Sequence, residues 1–367
     1  MKANPFAFVT ALPAAARGSL KLLYSLVLVC ASAPLAADEF PGRTEVPDVG
    51  ERPAWVIAVH GGAGVKDRAE LTPELARAYR EDLVAALEAG ARILRGGGDG
   101  AAAVEAALVI LEDSPRFNAG VGAALDSHGF ARHDASVMRG DTRDAGAIAG
   151  SSRVRNPIKA ALAVMEATDN VLLMGDGADW FASEQGLELA DPVTFVTDAR
   201  RSALLRKRAA QAGETSGLAL DRAEAAFGTV GAVVLDSNGT LFAGTSTGGR
   251  TNKRFGRIGD SPIIGAGTYA ANESCAVSAT GHGEYFMRYT VARDICARVE
   301  LAGEDLPTAA AAVVIGTLKP LGGDGAVIAL SPEGQVVFAM NGQGTYRGAM
   351  SSAAPARTAI YADEGIQ

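Results

Sequence analysis

One threonine stands where a glycine-ended linker meets a predicted strand. Residues 228–233 read Gly-Thr-Val-Gly-Ala-Val, and residues 191–227 before them read as a solvated helix followed by a loose linker. A hydroxyl is a weak nucleophile until a base activates it, and a chain cut before Thr229 would supply that base as a free α-amine. The pKa of an α-amine is about 8, so a useful fraction is neutral at physiological pH. Gly228 suits a cut because a residue without Cβ tolerates a twisted conformation.

Taken alone, this hexapeptide is more typical of a glycine entering an ordinary strand, and only its surroundings favour the nucleophile. Two other patterns could also carry chemistry. Residues 244–248 match the G-x-S-x-G nucleophile pattern, with Asp260 and His282 in triad order, but a loop instead of an apolar helix follows Ser246. Residues 265–270 match a loose dinucleotide fingerprint without a proper preceding strand. A serine hydrolase and a dinucleotide-binding protein are therefore both disfavoured.

Composition narrows the function classes further. The chain has 367 residues, 48% of them hydrophobic, 44 glycines and a net charge of −8. Glycine makes up about 12% of the chain against a usual roughly 7%, which favours many tight turns and a site built largely from backbone. An acidic chain whose basic run at 200–208 lacks interleaved aromatics gives no reason to expect nucleic acid as a partner. No two histidines stand at metal-ligand spacing, so we expect no cofactor for catalysis.

The N-terminus predicts a secretory signal peptide over residues 1–37. Residues 22–31 are apolar, and no acidic residue precedes them. Three basic residues come first: Lys2, Arg17 and Lys21. The apolar run is short for a membrane span, although a retained anchor or a misassigned start remains the alternative. We expect cleavage near Ala37, a secreted or periplasmic protein, and a mature net charge of −11.

Two cysteines remain after signal removal, Cys275 and Cys296. Two cysteines make neither a disulfide framework nor a metal site. We therefore expect both to be buried small hydrophobic residues.

The elements that must position Thr229 are helices and β-hairpins. A strand over 55–59 leads into two successive helices, and an Asn-Gly turn at 238–239 predicts a hairpin beginning at Thr229. A second hairpin is expected at 326–340. The two successive helices are expected at 72–94 and 101–111, and three more at 157–167, 284–299 and 306–315. Hairpins with helix pairs indicate an α+β layered domain over residues 38–367.

The ordered motifs resemble the plant-type L-asparaginases and isoaspartyl peptidases, within the N-terminal-nucleophile hydrolases. The resemblance covers nearly all of the mature chain, from His60 to Arg347. It is carried by residues 60–64, 117–122, 134–138, 228–233, 245–249, 256–262, 280–284 and 321–325. It implies a four-layer αββα sandwich of two antiparallel sheets between helices. It also implies self-cleavage between Gly228 and Thr229, giving an α chain of 38–228 and a β chain of 229–367.

The resemblance implies a role for each matching residue. Thr229 would be the nucleophile of both self-cleavage and catalysis, with Thr247 hydrogen-bonded beside it and Asn118 supporting the site. Thr280 and Gly281 would form the oxyanion hole. The family's substrate-binding set would comprise Arg257 for the α-carboxylate, Asp260 for the α-ammonium, and Thr280, Gly281 and Gly283.

The family's other properties are implied in the same way. Substrates would be asparagine and isoaspartyl dipeptides, and the assembly would be a dimer of αβ heterodimers. A structural sodium ion would bind backbone carbonyls of Leu111, Glu112, Ser114, Phe117, Ala119 and Val121. His282 and Arg139 depart from common family residues and could shift leaving-group preference. A glycosylasparaginase of the same fold is disfavoured because no His-Asp pair precedes Thr229, and a non-maturing binding protein is the alternative from another class.

Overall fold

The computed structural model describes residues 40–51, 53–212 and 228–366. The predicted signal peptide and residues 213–227 of the predicted linker lie outside the described residues. Within the described ranges, no helix combines the length and hydropathy of a membrane span.

In the described part of the chain, thirteen strands form two sheets. They are β1 Arg43–Glu45, β2 Val56–Ala63, β3 His133–Arg139, β4 Ala145–Ser151, β5 Leu172–Met174, β6 Val230–Leu235, β7 Leu241–Thr247, β8 Thr268–Ala271, β9 Cys275–Gly281, β10 Gly325–Leu330, β11 Val336–Met340, β12 Gly344–Ser351 and β13 Arg357–Tyr361. One sheet has the order β13-β12-β2-β6-β7-β3-β4-β5 and the other β1-β11-β10-β9-β8. All neighbours are antiparallel except β4 and β5.

Helices cover the outer faces of both sheets. The α-helices of the described residues are α1 Pro73–Arg95, α2 Gly100–Asp113, α3 Pro157–Ala167, α4 Gly175–Glu184, α5 Asp198–Ala212, α6 Gly283–Arg288, α7 Val291–Ala302 and α8 Leu306–Ala311. Of these, α5 packs through Leu204 in a small separate cluster with Leu125 and Phe195. A π-helical segment, Ala312–Leu318, continues α8. The side chain of Thr72 caps α1 and that of Asp99 caps α2, as expected for threonine and aspartate at the start of a helix.

Alternation along β2 shows how the layers stack. Ile57 and Val59 belong to the apolar cluster shared with α1, α2 and α3, whereas Val56 and Ala58 belong to the cluster shared with the five-stranded sheet, α7 and α8. Because successive side chains of a strand point to opposite faces, β2 has helices on one side and the second sheet on the other. The predicted four-layer α+β sandwich is confirmed.

Two segments predicted as continuous α-helices are interrupted in the structure. The segment 284–299 is broken into α6 and α7 at Thr290, whose φ of 45° is left-handed. The segment 306–315 is α-helical only to Ala311 and then widens into the π-helical segment. Both hairpins are confirmed, and β2 runs beyond the predicted strand end because it also pairs with β12 as far as Ala63.

The expectation that the two mature cysteines stay unpaired is wrong. Cys275, at the start of β9, and Cys296, in α7, form a disulfide with a Cα–Cα distance of 5.4 Å. Both residues are fully buried. The packing of α7 on β9 brings the cysteines together across 21 residues of chain, a juxtaposition that their number and spacing do not reveal.

Candidate active site

Thr229 lies just before β6, between the neighbouring strands β2 and β7, and is only 8% exposed. Its hydroxyl donates a hydrogen bond to Thr247 Oγ1 over 3.1 Å. The register of the β6–β7 hairpin pairs Val230 with Ser246, which brings the two threonines side by side. The hairpin that the Asn-Gly turn predicts therefore builds the central contact of the site.

The hydroxyl oxygen of Thr247 accepts two hydrogen bonds. One comes from Thr229 and the other from the backbone N–H of Gly249, over 3.0 Å. With both lone pairs engaged, the hydroxyl hydrogen of Thr247 is left to be donated. Thr247 is therefore equipped to give a hydrogen bond to a third group close to Thr229.

Ser246 faces away from Thr229. Its hydroxyl donates to Glu112 Oε1 over 2.6 Å, on the side of the sheet covered by α2. Burial raises the pKa of Glu112 to about 8, against opposing hydrogen bonds from Ser246 and Ile158. His282 contacts Arg250 and Glu284 instead. The G-x-S-x-G pattern thus forms no nucleophile elbow.

Asn118 connects the expected cleavage point to the turn after β7. Its backbone N–H donates to the carbonyl oxygen of Gly228 over 2.9 Å, and its backbone oxygen accepts from Gly248. Its side-chain amide donates to the Gly249 carbonyl over 2.7 Å and accepts from Ala124. The predicted support by Asn118 thus has a geometric basis, and its N–H points at the carbonyl that self-cleavage would attack.

His60, which the sequence analysis gives no definite role, contacts the backbone of Thr229. Its Nδ1 lies 3.1 Å from the carbonyl oxygen of Thr229, and its Nε2 lies 3.0 Å from Ser278 Oγ. A carbonyl only accepts, so the proton sits on Nδ1, and Nε2 accepts from the serine. Burial lowers the pKa of His60 to about 3, although the hydrogen bond to Thr229 opposes the shift. A Cβ on Gly231, directly opposite in β6, would lie 2.3 Å from Nε2.

Thr280 and Gly281, the predicted oxyanion hole, end strand β9. They follow Ser278, which contacts His60 and so ties the strand to the Thr229 backbone. The oxygen of Thr280 accepts from the Ala63 N–H over 3.1 Å, which leaves its hydroxyl hydrogen for a ligand. Gly281 has a φ of 156°, and a Cβ there would lie 2.5 Å from the Asp324 carbonyl oxygen. Only glycine fits this end of the strand.

Arg257, Asp260 and Gly283 meet at one point. An ideal Cβ on Gly283 would lie 2.9 Å from Arg257 Nη2 and 2.8 Å from Asp260 Oδ1. An ideal Cβ on Gly249 would lie 3.5 Å from Arg257 Nη1, and Gly249 N–H also contacts Thr247. Through Gly249, the predicted carboxylate-binding arginine stands next to the threonine pair.

Glu284 orients the guanidinium of Arg257 and was missed by sequence reasoning. Arg257 Nε and Nη2 each donate to one oxygen of the Glu284 carboxylate over 3.0 Å. Burial alone would raise the pKa of Glu284, but Arg257 outweighs it and lowers the pKa to about 2. This fork occupies one edge of the guanidinium and leaves another for a second carboxylate. An acid directly after Gly283 is the sequence signal that could have indicated this pair.

The carboxyl of Asp260 is buried, and its hydrogen bonds and neighbouring charges offset the cost of burying its negative charge only in part. Burial raises its pKa to about 7, and the charge of Arg257 opposes the shift only in part. Its Oδ2 has no hydrogen-bond partner among the described residues. A buried acceptor of this kind is suited to a cationic ligand such as an α-ammonium.

The predicted sodium loop runs from the end of α2 to the 3₁₀ turn Gly120–Gly122. A Cβ on Gly120 would lie 2.2 Å from the Glu112 carbonyl oxygen, and one on Gly122 would lie 2.0 Å from that of Phe117. These carbonyls crowd into a loop that only glycine allows, which fits a cation held by backbone oxygens. No cluster of three metal-ligating side chains occurs in the described part of the chain. The ion stays a prediction.

Of the two departures from the family pattern, only His282 adjoins the site. Arg139 instead pairs with Asp141 at the β3–β4 turn, at the other end of β3 from Asp134. A direct contact between Arg139 and a ligand held by Arg257 is therefore not supported by the geometry.

Comparison with known proteins agrees with this arrangement. A family model described as "Asparaginase" matches residues 53–360. The chain is 44% identical over 312 residues to an isoaspartyl peptidase of Escherichia coli (strain K12), covering 84% of this chain and 97% of that protein. It is 43% identical over 292 residues to a plant-type L-asparaginase of Thermococcus kodakarensis, covering 78% and 92%. An isoaspartyl peptidase/L-asparaginase of Xenopus laevis is 40% identical over 279 residues, covering 76% and 86%.

Proposed function

The chain belongs to the asparaginase family, and from that premise we propose that it is a self-cleaving N-terminal threonine amidohydrolase. Its substrates are isoaspartyl dipeptides and L-asparagine, from which it releases L-aspartate. The observation that carries the proposal is the 3.1 Å hydrogen bond from Thr229 to Thr247 at the head of β6, directly after a glycine. The names of relatives at 40–44% identity support the same substrate classes.

Maturation begins when Thr229 Oγ attacks the carbonyl carbon of Gly228. The Oγ–C bond forms, the C–N bond breaks, and the hydroxyl proton passes to the nitrogen, which becomes the amine of Thr229. The Asn118 N–H, 2.9 Å from the Gly228 oxygen, is positioned to stabilise the charge that develops there. Water then opens the ester, leaving Gly228 as a carboxylate and Thr229 with a free hydroxyl and a free α-amine.

Turnover repeats the chemistry on a bound substrate. The α-amine of Thr229 takes the proton from its own hydroxyl, which attacks the side-chain carbonyl of asparagine or of an isoaspartyl residue. Thr280 and Gly281 donate hydrogen bonds to the oxyanion. Each such donor typically stabilises the transition state by about 3–4 kcal/mol. Ammonia or an amino acid leaves with the transferred proton, and water releases aspartate from the acyl-enzyme.

Arg257 and Asp260, which meet beside Gly283, recognise the aspartyl part of the substrate. The edge of Arg257 not used by Glu284 binds the α-carboxylate, and the buried carboxylate of Asp260 binds the α-ammonium. The missing side chain at Gly283 leaves the space in which both groups of the substrate sit. A glycosylasparaginase remains less favoured, because Ala226-Phe227 instead of a His-Asp pair precedes Gly228.

Processing and location extend the proposal. A signal peptide over 1–37 is removed, the chain is cut into 38–228 and 229–367, and two such αβ pairs form the dimer. The disulfide between Cys275 and Cys296 supports export, because disulfides persist in oxidising compartments such as the periplasm. A sodium ion on the carbonyls of the 111–121 loop is structural and takes no part in the reaction.

Mass spectrometry of the purified protein tests the proposal. We expect two chains, the second beginning at Thr229, together with aspartate release from asparagine and from an isoaspartyl dipeptide. Thr229→Ala should stay uncut and inactive. Thr345→Val is the matched control, because it also removes the hydroxyl of a buried threonine. Unlike that of Thr229, this hydroxyl has no hydrogen-bond partner among the described residues. A single intact chain in active enzyme would overturn the assignment. An uncut chain that binds the substrates without hydrolysing them would also overturn it.

A further inference from the structure

A buried lysine lies under the turn that follows β7. Lys253 is only 7% exposed, and its Nζ donates to the carbonyl oxygens of Gly248 over 2.8 Å and Arg132 over 2.7 Å. A buried ammonium is costly unless it is hydrogen-bonded and paired with an opposite charge. Nothing in the proposed chemistry uses this residue, so its presence needs another reason.

Part of the compensation for this charge comes from Asp134 on the neighbouring strand β3, although burial also raises the pKa of Asp134. Burial lowers the pKa of Lys253, and the charge of Asp134 is the largest effect that opposes this shift. Asp134 is also buried and pairs in register with Thr247 across β3 and β7. The ammonium and its counter-charge therefore belong to the same few residues that surround Thr247.

The contacts of Lys253 lead directly to the nucleophile. Lys253 Nζ fixes the carbonyl of Gly248, while the Gly248 N–H is fixed by the Asn118 oxygen. The next N–H, that of Gly249, donates to Thr247 Oγ1, which accepts from Thr229. An ideal Cβ on Gly249 would lie 2.9 Å from Nζ, so the ammonium packs against the turn itself.

We propose that Lys253 is a positioning residue for the amidohydrolase reaction: its ammonium holds the Thr247–Gly249 turn so that the Thr247 hydroxyl stays aligned on Thr229. This inference rests on the proposed function. A lysine is suited to the task because its three N–H donors sit on a long stem that reaches beneath a turn. A side chain of equal length without donors would leave the Gly248 carbonyl buried and unpaired.

A double-mutant cycle with Lys253→Met and Thr247→Ser tests the role. We expect Lys253→Met to lower kcat about tenfold and the maturation rate similarly, with KM for asparagine within about twofold, since Arg257 and Asp260 are unchanged. In the Thr247→Ser variant the hydroxyl at position 247 is already less constrained. Adding Lys253→Met to this variant should therefore lower kcat by less than about threefold. Lys66→Met, an exposed lysine, is the control and should match wild type.

The outcomes separate this inference from the proposed function. If the wild-type chain is uncut or inactive, the proposed function has failed. If wild type matures and turns over but Lys253→Met has the same rates per folded enzyme, only the role of Lys253 has failed. If the losses in kcat of the two single variants multiply fully in the double variant, Lys253 and Thr247 act independently and the inference is overturned. If the loss in kcat of Lys253→Met follows the fraction of folded protein in thermal melts, Lys253 contributes only to general stability, which also overturns the inference.

Discussion

His60 and Thr229 are joined by a hydrogen bond from the imidazole Nδ1 to the threonine carbonyl oxygen, 3.1 Å apart. The imidazole continues through Ser278 into a buried chain of hydroxyls between the sheets, formed by Ser278, Thr245, Thr268 and Ser136. Such a network fixes the backbone of Thr229 independently of the contact at its hydroxyl. The nucleophile is therefore held from both sides, by His60 on its carbonyl and by Thr247 on its oxygen.

Removing the imidazole should slow maturation. His60→Ala leaves the Thr229 carbonyl and the Ser278 hydroxyl without their partner, and an unpaired buried group costs about 1–3 kcal/mol. We expect lower stability by that amount and a cleavage rate reduced about tenfold, measured by mass spectrometry over time. His60→Asn, whose amide can replace the Nδ1 donor, should recover part of the rate. His128→Ala, at an exposed histidine, is the control, and a wild-type rate in His60→Ala would contradict the role.

Most helices and strands could be predicted because they depend on local patterns, whereas cleavage before Thr229 stays a prediction. The Asn-Gly turn sets the register that pairs Thr229 with Thr247, and Thr72 and Asp99 mark helix starts. The Cys275–Cys296 bond depends on how α7 packs on β9, and it was mispredicted. Sequence reasoning also gave Glu284 and Lys253 no role, because each has a partner that only the fold brings near, Arg257 for Glu284 and the Arg132 carbonyl for Lys253.

A methyl group at position 283 should weaken substrate binding without blocking self-cleavage. In Gly283→Ala the new Cβ would press on Arg257 Nη2 and Asp260 Oδ1, at 2.9 and 2.8 Å. We expect KM for asparagine to rise about tenfold, equivalent to about 1.4 kcal/mol, while the chain is still cut. Gly177→Ala is the matched control, since a Cβ there meets nothing within 4 Å. An unchanged KM would remove Gly283 from the binding site.

Binding of the α-ammonium should depend on the charge of Asp260. Burial raises its pKa to about 7, so the group takes up a proton and loses its negative charge as the pH falls below that value. Inhibition by aspartate should therefore weaken about tenfold between pH 8 and pH 6. Asp260→Asn should bind aspartate weakly at every pH without this slope. A slope that persists in Asp260→Asn would assign it to another group, such as the α-amine of Thr229.

The disulfide should stabilise the β-chain part of the fold without taking part in the reaction. Its sulfurs are buried between β9 and α7, and it closes a loop of 21 residues, for which the chain-entropy model gives about 3 kcal/mol. Replacing both cysteines, as Cys275→Ala with Cys296→Ala, should lower the free energy of unfolding by about that amount while kcat at 25 °C stays near wild type. Denaturant unfolding measures the loss, and a reductant should lower the midpoint of wild type but leave the double variant unchanged. Since β9 ends in Thr280 and Gly281, a large fall in kcat at low temperature would instead show that the bond also aligns the oxyanion donors.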